Sequence, residues 1–189
     1  MKKLLLAVIV SLSTVTTAAL AEIKVGIILG FTGPIESLTP AMRDGARMAF
    51  DEASNSGNLL GGESITILEA DSTCVDSAAA TAAAEDLVAQ GVTAIMGADC
   101  SGVTGAINAN VAVPNGILMV SPSATSPGLS KVPDNGTFWR TAPSDAKGGQ
   151  VLAKLALSRG IESIAVTYTN NDYGLSLIHI SEPTRQPNI

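Results

Sequence analysis

The sequence has few aromatic side chains and few basic ones. Aromatic residues make up only 3% of the chain, and the acidic residues outnumber the basic ones by 17 to 11, for a formal net charge of −6. Proteins that bind nucleic acids need basic surface to neutralise phosphates, and often aromatic rings on which bases stack. The composition therefore argues against a nucleic-acid partner, and an acidic surface would also be repelled by anionic lipid headgroups.

The short motifs of common enzyme sites are absent as well. Gly26, Gly30 and Gly33 do not form the G-x-G-x-x-G fingerprint of dinucleotide sites, and neither a P-loop nor a G-x-S-x-G nucleophile elbow occurs. Three loop carboxylates are expected to be solvated or to cap helices: Glu36, Asp99 and Asp145. We therefore expect no catalytic residues, no metal and no cofactor.

The N-terminus has the features of a secretory signal peptide. A short positive region with Lys2 and Lys3 precedes the apolar run 4–12, and Ala19-Leu20-Ala21 has the A-x-A form that signal peptidase cleaves. The run is interrupted by serines and threonines and is too short to span a bilayer, which argues against a membrane anchor. Residues 1–21 are predicted to be removed near Ala21, and the loss of both lysines takes the net charge from −6 to −8.

The chain has two cysteines, Cys74 and Cys100. In an oxidising compartment an isolated pair most simply forms a disulfide. Closing a loop of this length contributes about 3 kcal/mol in the chain-entropy model. The alternative, two free buried thiols, is the weaker one for an exported protein.

Apolar runs and helical patterns alternate along the chain after residue 22. The run Ile23–Leu29 is short, branched and almost entirely apolar, which is typical of a strand buried on both faces of a parallel sheet. Further strands are predicted at 64–70, 92–97 and 117–121, with helices near 42–53, 78–90 and 101–111. Four strand–helix alternations with short connections predict an α/β fold, a three-layer sandwich around a parallel sheet.

A new strand–helix series begins after a stretch rich in Ser, Pro and Gly. Residues 137–142 are predicted to be extended, 147–159 helical and 162–169 a strand, and we place a lobe boundary near Pro143. The predicted domains are the signal peptide (1–21), an N-terminal ligand-binding lobe (22–142) and the start of a second lobe (143–174).

Residues 175–189 do not continue this pattern. They have no helical period, and Pro183 would break a helix. The string that begins Leu175-Ser176-Leu177-Ile178 resembles the translation of a transposon-end sequencing adapter. We expect 175–189 to be a non-native tail, so His179, the one histidine, is not available for catalysis or metal binding.

The loops after the strands are the candidate site, because ligands of open parallel sheets bind beyond the carboxyl ends of the strands. Ser101 stands where a helix should begin, and its hydroxyl with the free N–H groups there suits a carboxylate; alternatively it only caps the helix. Ser123-Ala124-Thr125 offers another hydroxyl and unpaired backbone groups, or else forms an ordinary Ser/Pro turn. Two such loops at neighbouring strand ends favour a carboxylate clasp.

Several of these segments together resemble the leucine/isoleucine/valine-binding proteins of ABC importers. The resemblance covers nearly all of 23–174 and rests on their order and spacing: Ile23-Lys24-Val25-Gly26, Thr32-Gly33-Pro34, Asp44-Gly45-Ala46, Ala49-Phe50, Asp71 with Cys74, Ile95-Met96-Gly97, Cys100-Ser101, 116–125, Phe138-Trp139-Arg140-Thr141 and Asp172-Tyr173-Gly174. It implies a type I periplasmic-binding-protein fold with two lobes hinged around a cleft, a periplasmic location, and pairing of the two cysteines.

The resemblance also implies roles for single residues. Ser101 and Thr125 would hold the α-carboxylate of a ligand through hydroxyl and backbone N–H groups, and the Ser123 carbonyl would accept from the α-ammonium. Tyr173 would line the cleft from the second lobe. Leu38 stands where amino-acid-specific members place an aromatic ring over the ligand side chain, so an amide, a urea-like compound or another amino acid is an alternative ligand.

The implied function is that of an exported solute-binding receptor, a monomer that binds an amino acid or amide-like molecule between its lobes and delivers it to a membrane permease. One alternative is a ligand-sensing regulatory protein of the same fold, which a signal peptide without an anchor disfavours. Another is a dinucleotide-dependent enzyme on a Rossmann-like sheet, which the missing glycine fingerprint and the export signal disfavour.

Overall fold

A computed structural model describes residues 22–175. The predicted signal peptide and nearly all of the predicted tail lie outside the described residues. The strands are β1 (Ile23–Leu29), β2 (Ile65–Asp71), β3 (Ala94–Gly97), β4 (Leu118–Ser121) and β5 (Phe138–Arg140). The helices are α1 (Thr39–Asn55), α2 (Ser77–Ala89), α3 (Ser101–Ile107), α4 (Val113–Asn115) and α5 (Asp145–Ser158), with a π-helical segment, Asn108–Ala112, between α3 and α4.

The five strands form one parallel sheet in the order β2-β1-β3-β4-β5. β1 lies inside the sheet, with Val25 opposite Ile67 of β2 and Ala94 of β3. Its side chains from Val25 to Leu29 are buried, because both faces are covered. The parallel α/β sheet predicted from the sequence is confirmed, and the predicted extended segment 137–142 contains its edge strand, β5.

The largest part of the core lies between the sheet and helices α2 and α3. It contains Ile28, Ala80, Ala84, Leu87, Ile95, Val103, Ile107 and Met119. Alanines on α2 allow the helix to come close to the sheet, and Gly26 of β1 makes room for it, since a Cβ there would lie 2.8 Å from the Leu87 side chain.

Helix α1 covers the other face of the sheet. Arg47 of α1 donates to the Glu69 carboxylate at 2.8 Å, and Glu69 pairs in register with Ile27. Because side chains alternate along a strand, Ile27 and Ile28 point to opposite faces, so α1 and α2 lie on opposite sides. The three-layer arrangement is therefore present. No helix among residues 22–175 has the length and apolar character needed to cross a membrane.

The predicted strand 162–169 is not formed. Residues 161–169 have no regular secondary structure and are exposed. A strand requires backbone hydrogen bonds to a neighbouring strand, and the described residues, 22–175, contain no second sheet that supplies them. Helix α5 likewise has no second sheet to pack against among the described residues, so Val151, Leu152 and Leu155 are exposed. The strand prediction is wrong for this structure, while the lobe boundary near Pro143 stays a prediction.

Candidate ligand-binding site

The loops at the carboxyl edge of the sheet are joined by a disulfide. Cys74, in the loop after β2, is bonded to Cys100, and their Cα atoms are 5.2 Å apart. Cys100 is the residue that caps the N-terminus of α3. The predicted pairing is confirmed, and the crosslink fixes the backbone next to Ser101.

Asp99 connects three of these loops through hydrogen bonds. Its Oδ2 accepts from the Gly30 N–H at 2.8 Å, and its Oδ1 accepts from the Cys100 N–H at 2.9 Å and the Ser72 hydroxyl at 3.4 Å. Asp99 is only 3% exposed. The expectation of a solvated carboxylate is wrong here, and the carboxylate instead accepts from the N–H of the residue at the N-cap position of α3. A buried carboxylate is tolerated because several donors satisfy its oxygens.

Asp71, at the end of β2, anchors the loop that follows β1. Its carboxylate accepts from the Thr32 hydroxyl at 2.6 Å and from the Thr73 N–H at 2.8 Å. Burial alone would raise the pKa of Asp71, but these bonds and others from the N–H groups of Thr32 and Phe31 outweigh it and hold the pKa below its ordinary value. The base of the loop that leads to Leu38 is therefore held by an ionised carboxylate.

Ser101 is buried at the start of α3. Its Oγ accepts a hydrogen bond from the Ser126 N–H at 3.1 Å. Since the N–H group can only donate, the Ser101 hydroxyl acts as the acceptor here, and its own proton stays available for a further acceptor. The alternative in which Ser101 is merely the helix cap is not what the structure shows, because Cys100 occupies that position.

The loop after β4 is more than an ordinary turn. The Ser121 hydroxyl donates to the Ala98 carbonyl and accepts from the Ala124 N–H at 3.0 Å, and the Ser123 hydroxyl donates to the Asp99 carbonyl at 3.0 Å. Ala124 is fully buried. Among the described residues, the Thr125 N–H and the Ser123 carbonyl have no hydrogen-bond partner. These are two of the backbone groups that the sequence resemblance assigned to a ligand.

Thr125 is joined to the first residue of α5. Its hydroxyl donates to Oδ2 of Asp145 at 2.7 Å, and the Asp145 N–H donates to the Thr125 carbonyl at 3.1 Å. An ionised carboxylate only accepts, so the hydroxyl proton is engaged and the oxygen lone pairs are left for another donor. This contact of Asp145 with Thr125 was not predicted from the sequence, because an acidic residue in the first turn of a helix is usually expected to cap it.

Arg140, at the end of β5, holds the same loop from its other side. Its Nη1 donates to the carbonyls of Ala124 at 3.1 Å and Ser126 at 2.8 Å, and its Nη2 donates to the Ser130 hydroxyl. Arg140 is among the residues that carry the sequence resemblance, but no role was assigned to it from the sequence. The available signal was a lone basic side chain within the predicted extended segment 137–142.

Hydrogen bonds between the loops after β3 and β4 bring Ser101 together with Ser123, Ala124 and Thr125, while Leu38 lies in the loop after β1. Leu38 lies just before α1 and is 56% exposed. Within residues 22–175 its backbone N–H bonds to Ile35 of its own loop, and no hydrogen bond links it to the loops after β3 and β4. Its predicted role over a ligand side chain stays a prediction.

Tyr173 has 41% of its surface exposed. Its neighbour Asp172 lies beside Gly102. Asp172 also lines a surface cavity of about 590 Å³ together with Ser101 and Ser126. The segment that carries Tyr173 is thus close to the candidate site, while its contact with a ligand stays a prediction.

Comparison with known proteins agrees with the fold described above. A sequence profile for the family described as periplasmic binding protein matches residues 22–179. A Leu/Ile/Val-binding protein of Rhizobium johnstonii is 30% identical over 176 residues, which are 93% of this chain and 47% of that protein. The chain therefore spans about half the length of the curated relatives that it matches.

Two solved structures agree in fold and, more weakly, in sequence. One is the branched-chain amino acid transporter substrate binding protein LivJ from Streptococcus pneumoniae in complex with isoleucine, which is 29% identical, with a TM-score of 0.64 over 71% of this chain and 38% of that one. Another is an ABC transporter substrate-binding protein from Desulfitobacterium hafniense in complex with Leu, at 25% identity and a TM-score of 0.70 over 86% and 46%. The chain belongs to the periplasmic binding protein family.

Proposed function

We propose that this chain supplies the N-terminal lobe of an exported solute-binding receptor for an ABC importer, and that the ligand is an aliphatic α-amino acid. The observation that carries the proposal is the arrangement of free donors and acceptors around Thr125. The Thr125 N–H and the Ser101 proton are available to donate, while the Thr125 hydroxyl oxygen and the Ser123 carbonyl are available to accept.

The donors suit the α-carboxylate of a ligand. Ser101 and the loop 123–126 are held together by the bond from Ser126 to Ser101. A carboxylate that accepts from the Ser101 hydroxyl and the Thr125 N–H would gain two hydrogen bonds to a charged group, which are stronger than neutral ones. Both donors are already fixed by the surrounding network, so little ordering is required when the ligand binds.

The acceptors suit the α-ammonium. The Thr125 hydroxyl donates a hydrogen bond to Asp145, so its oxygen lone pairs can accept from a donor such as an ammonium group. The Asp145 carboxylate, one hydrogen bond away, adds negative charge on that side. The sequence resemblance implied that the Thr125 hydroxyl binds the carboxylate. We propose instead that this hydroxyl accepts from the ammonium, while the Thr125 backbone N–H donates to the carboxylate.

The class of ligand rests on the relatives. The relative in Rhizobium johnstonii is named as a Leu/Ile/Val-binding protein, and the Streptococcus pneumoniae structure contains isoleucine. We propose leucine, isoleucine or valine for this protein. An exposed leucine at position 38, rather than an aromatic residue, leaves an amide-like ligand as the second candidate.

We further propose that the protein works in the periplasm, as a monomer without enzymatic activity, and hands its ligand to a membrane permease. Closure of two lobes around a ligand is a common way in which such receptors signal occupancy. Residues 143–174 are proposed to begin the second lobe. The cleft partner groups on that lobe would complete the binding of the ammonium.

The test is a binding measurement on the protein expressed from the whole reading frame of its gene. Thermal unfolding is recorded with each standard amino acid and with their amides, and the ligand that raises the melting temperature is then titrated by calorimetry. One-to-one binding of a branched-chain amino acid is expected. A protein that responds to none of these compounds, or that is stabilised by a nicotinamide dinucleotide instead, would refute the proposal.

A further inference from the structure

We infer that Arg140 is a positioning residue that makes the Thr125 N–H a stronger donor to an anionic ligand group. It acts through the peptide group between Ala124 and Thr125, without touching the ligand. This inference rests on the proposed function, because it concerns the same site.

The Arg140 guanidinium donates to backbone carbonyls of both residues that flank Thr125. One nitrogen, Nη1, donates to the carbonyls on either side of Thr125, those of Ala124 at 3.1 Å and Ser126 at 2.8 Å. The strand that carries Arg140 is tied to the base of the same loop, because the Thr141 N–H donates to the Ser121 carbonyl at 3.0 Å. Nη1 has two N–H groups, so it can hold both carbonyls at once, which fixes the direction of the Thr125 N–H.

The bond to Ala124 also changes the strength of the Thr125 N–H. The Ala124 carbonyl and the Thr125 N–H belong to one peptide group, whose bond has partial double-bond character. A cation that donates to the carbonyl oxygen draws electron density from the nitrogen, so the hydrogen becomes more positive. Hydrogen bonds polarise one another in this way along a chain. The Thr125 N–H, which has no acceptor among the described residues, is thereby prepared for an anion.

No carboxylate among the described residues bonds directly to Arg140. Within residues 22–175 the guanidinium forms no ion pair, whereas Arg43 and Arg47 pair with acidic residues on the surface. Its three acceptors are two carbonyls and a hydroxyl, which engage three of its five N–H groups and carry no charge of their own. Arg140 is only half-buried, so solvent screens part of the effect.

Thr125 therefore has a cation on its peptide side and a carboxylate on its hydroxyl side. Arg140 bonds to the carbonyl that precedes it, and Asp145 bonds to its side chain. An α-amino acid has the complementary distribution of charge. Arg140 and Asp145 together orient the ligand, so that its carboxylate is directed to the Thr125 N–H.

The experiment compares leucine with leucinamide, which keeps the ammonium and replaces the carboxylate by a neutral amide. The variants are Arg140→Gln and Arg140→Lys in the protein from the whole reading frame, with Arg47→Gln as the matched control. The glutamine variant should lower the affinity for leucine about tenfold and the affinity for leucinamide much less. The affinity of the lysine variant for leucine should lie between those of the wild type and the glutamine variant. Arg47→Gln should leave both affinities unchanged. An equal fall for the two ligands, or no fall, would overturn the inference.

A second readout does not depend on ligand binding. The amide resonances of Thr125 in the ligand-free protein report the hydrogen bond to the Ala124 carbonyl. In Arg140→Gln they should move, while those of Ala84 in α2 stay in place. An unchanged Thr125 resonance in a folded variant contradicts the role of Arg140. If the wild type binds neither leucine nor leucinamide but the resonance moves, the proposed leucine receptor fails and the polarisation of Thr125 stands.

Discussion

Thr125 and Asp145 are joined by two hydrogen bonds in opposite directions: the Thr125 hydroxyl donates to the Asp145 carboxylate at 2.7 Å, and the Asp145 N–H donates to the Thr125 carbonyl at 3.1 Å. The pair connects the loop after β4 to the start of α5. Because a hydroxyl has one proton and this one is donated to Asp145, the Thr125 hydroxyl can only accept further hydrogen bonds. The polarity of the proposed site follows from this relationship.

Replacement of Thr125 by valine should weaken ligand binding. Valine keeps the shape of threonine but lacks the oxygen that would accept from an α-ammonium. The expected loss is about 1–3 kcal/mol, as for a hydrogen bond to a charged group. Isothermal calorimetry with leucine on the protein from the whole reading frame gives this value directly.

Two further variants make this experiment decisive. Thr125→Ser keeps the hydroxyl and should retain most of the affinity. Thr81→Val removes an exposed hydroxyl on α2 that bonds only to its own helix, and it should have no effect on binding. If Thr125→Val binds leucine as tightly as the wild type does, Thr125 does not contact the ligand through its side chain.

Replacement of Asp145 by asparagine should weaken the binding of the ligand's ammonium group without weakening the binding of its carboxylate. The variant removes a negative charge beside the Thr125 hydroxyl and weakens the bond that holds its proton. Affinity for leucine should fall, by roughly 1 kcal/mol for a partly exposed charge. Affinity for 4-methylpentanoate, which is leucine without the amino group, should be unchanged or rise.

Calorimetric titration of both compounds checks this assignment. A fall in affinity for 4-methylpentanoate that matches the fall for leucine would mean that Asp145 only shapes the loop. A rise for leucine would reverse the proposed orientation, because it would put the carboxylate of the ligand next to Asp145.

The disulfide should stabilise the fold and preserve the site. Cys74 and Cys100 are 26 residues apart, so the bond removes loop entropy from the unfolded chain that corresponds to about 3 kcal/mol. The double variant Cys74→Ser, Cys100→Ser should unfold at a lower temperature than the oxidised wild type and close to the reduced wild type. A mass spectrum of the untreated wild type that shows two free thiols would contradict the bond itself.

Much of the fold can be read from the sequence because its signals are local. The apolar run Ile23–Leu29 predicts a buried strand, the alanine-rich segment of α2 predicts a helix, and strand–helix alternation predicts the parallel sheet. The segment 162–169 has the same local character, yet it forms no strand, since pairing depends on a neighbour that the described chain does not provide. A strand is a property of two segments, and sequence patterns report on one.

The candidate site likewise contains residues that local patterns select and residues that only long-range contacts reveal. Ser101 and Thr125 stand in loops that follow strands, and this local signal was enough to select them. Asp145 and Arg140 reach Thr125 and Ala124 from 20 and 16 residues away, and Asp99 reaches Gly30 across 69. Single charged residues at helix starts or strand ends occur in every α/β protein, so only the three-dimensional packing shows which of them support the site.

Acid should weaken the loop connection made by Asp71. Its pKa is lowered in the folded protein, so the folded state favours the ionised carboxylate. The stability that Asp71 contributes is then fully present above its unfolded pKa of about 3.9 and is lost as the pH falls through the lower folded value. Asp71→Asn should therefore melt at a lower temperature than the wild type at pH 7, and the difference should shrink below about pH 4. Melting curves between pH 3 and pH 7 measure this, with the exposed α1 variant Asp51→Asn as control. A difference that stays constant down to pH 3 would mean that the bonds from Thr32 and Thr73 do not depend on the charge of Asp71.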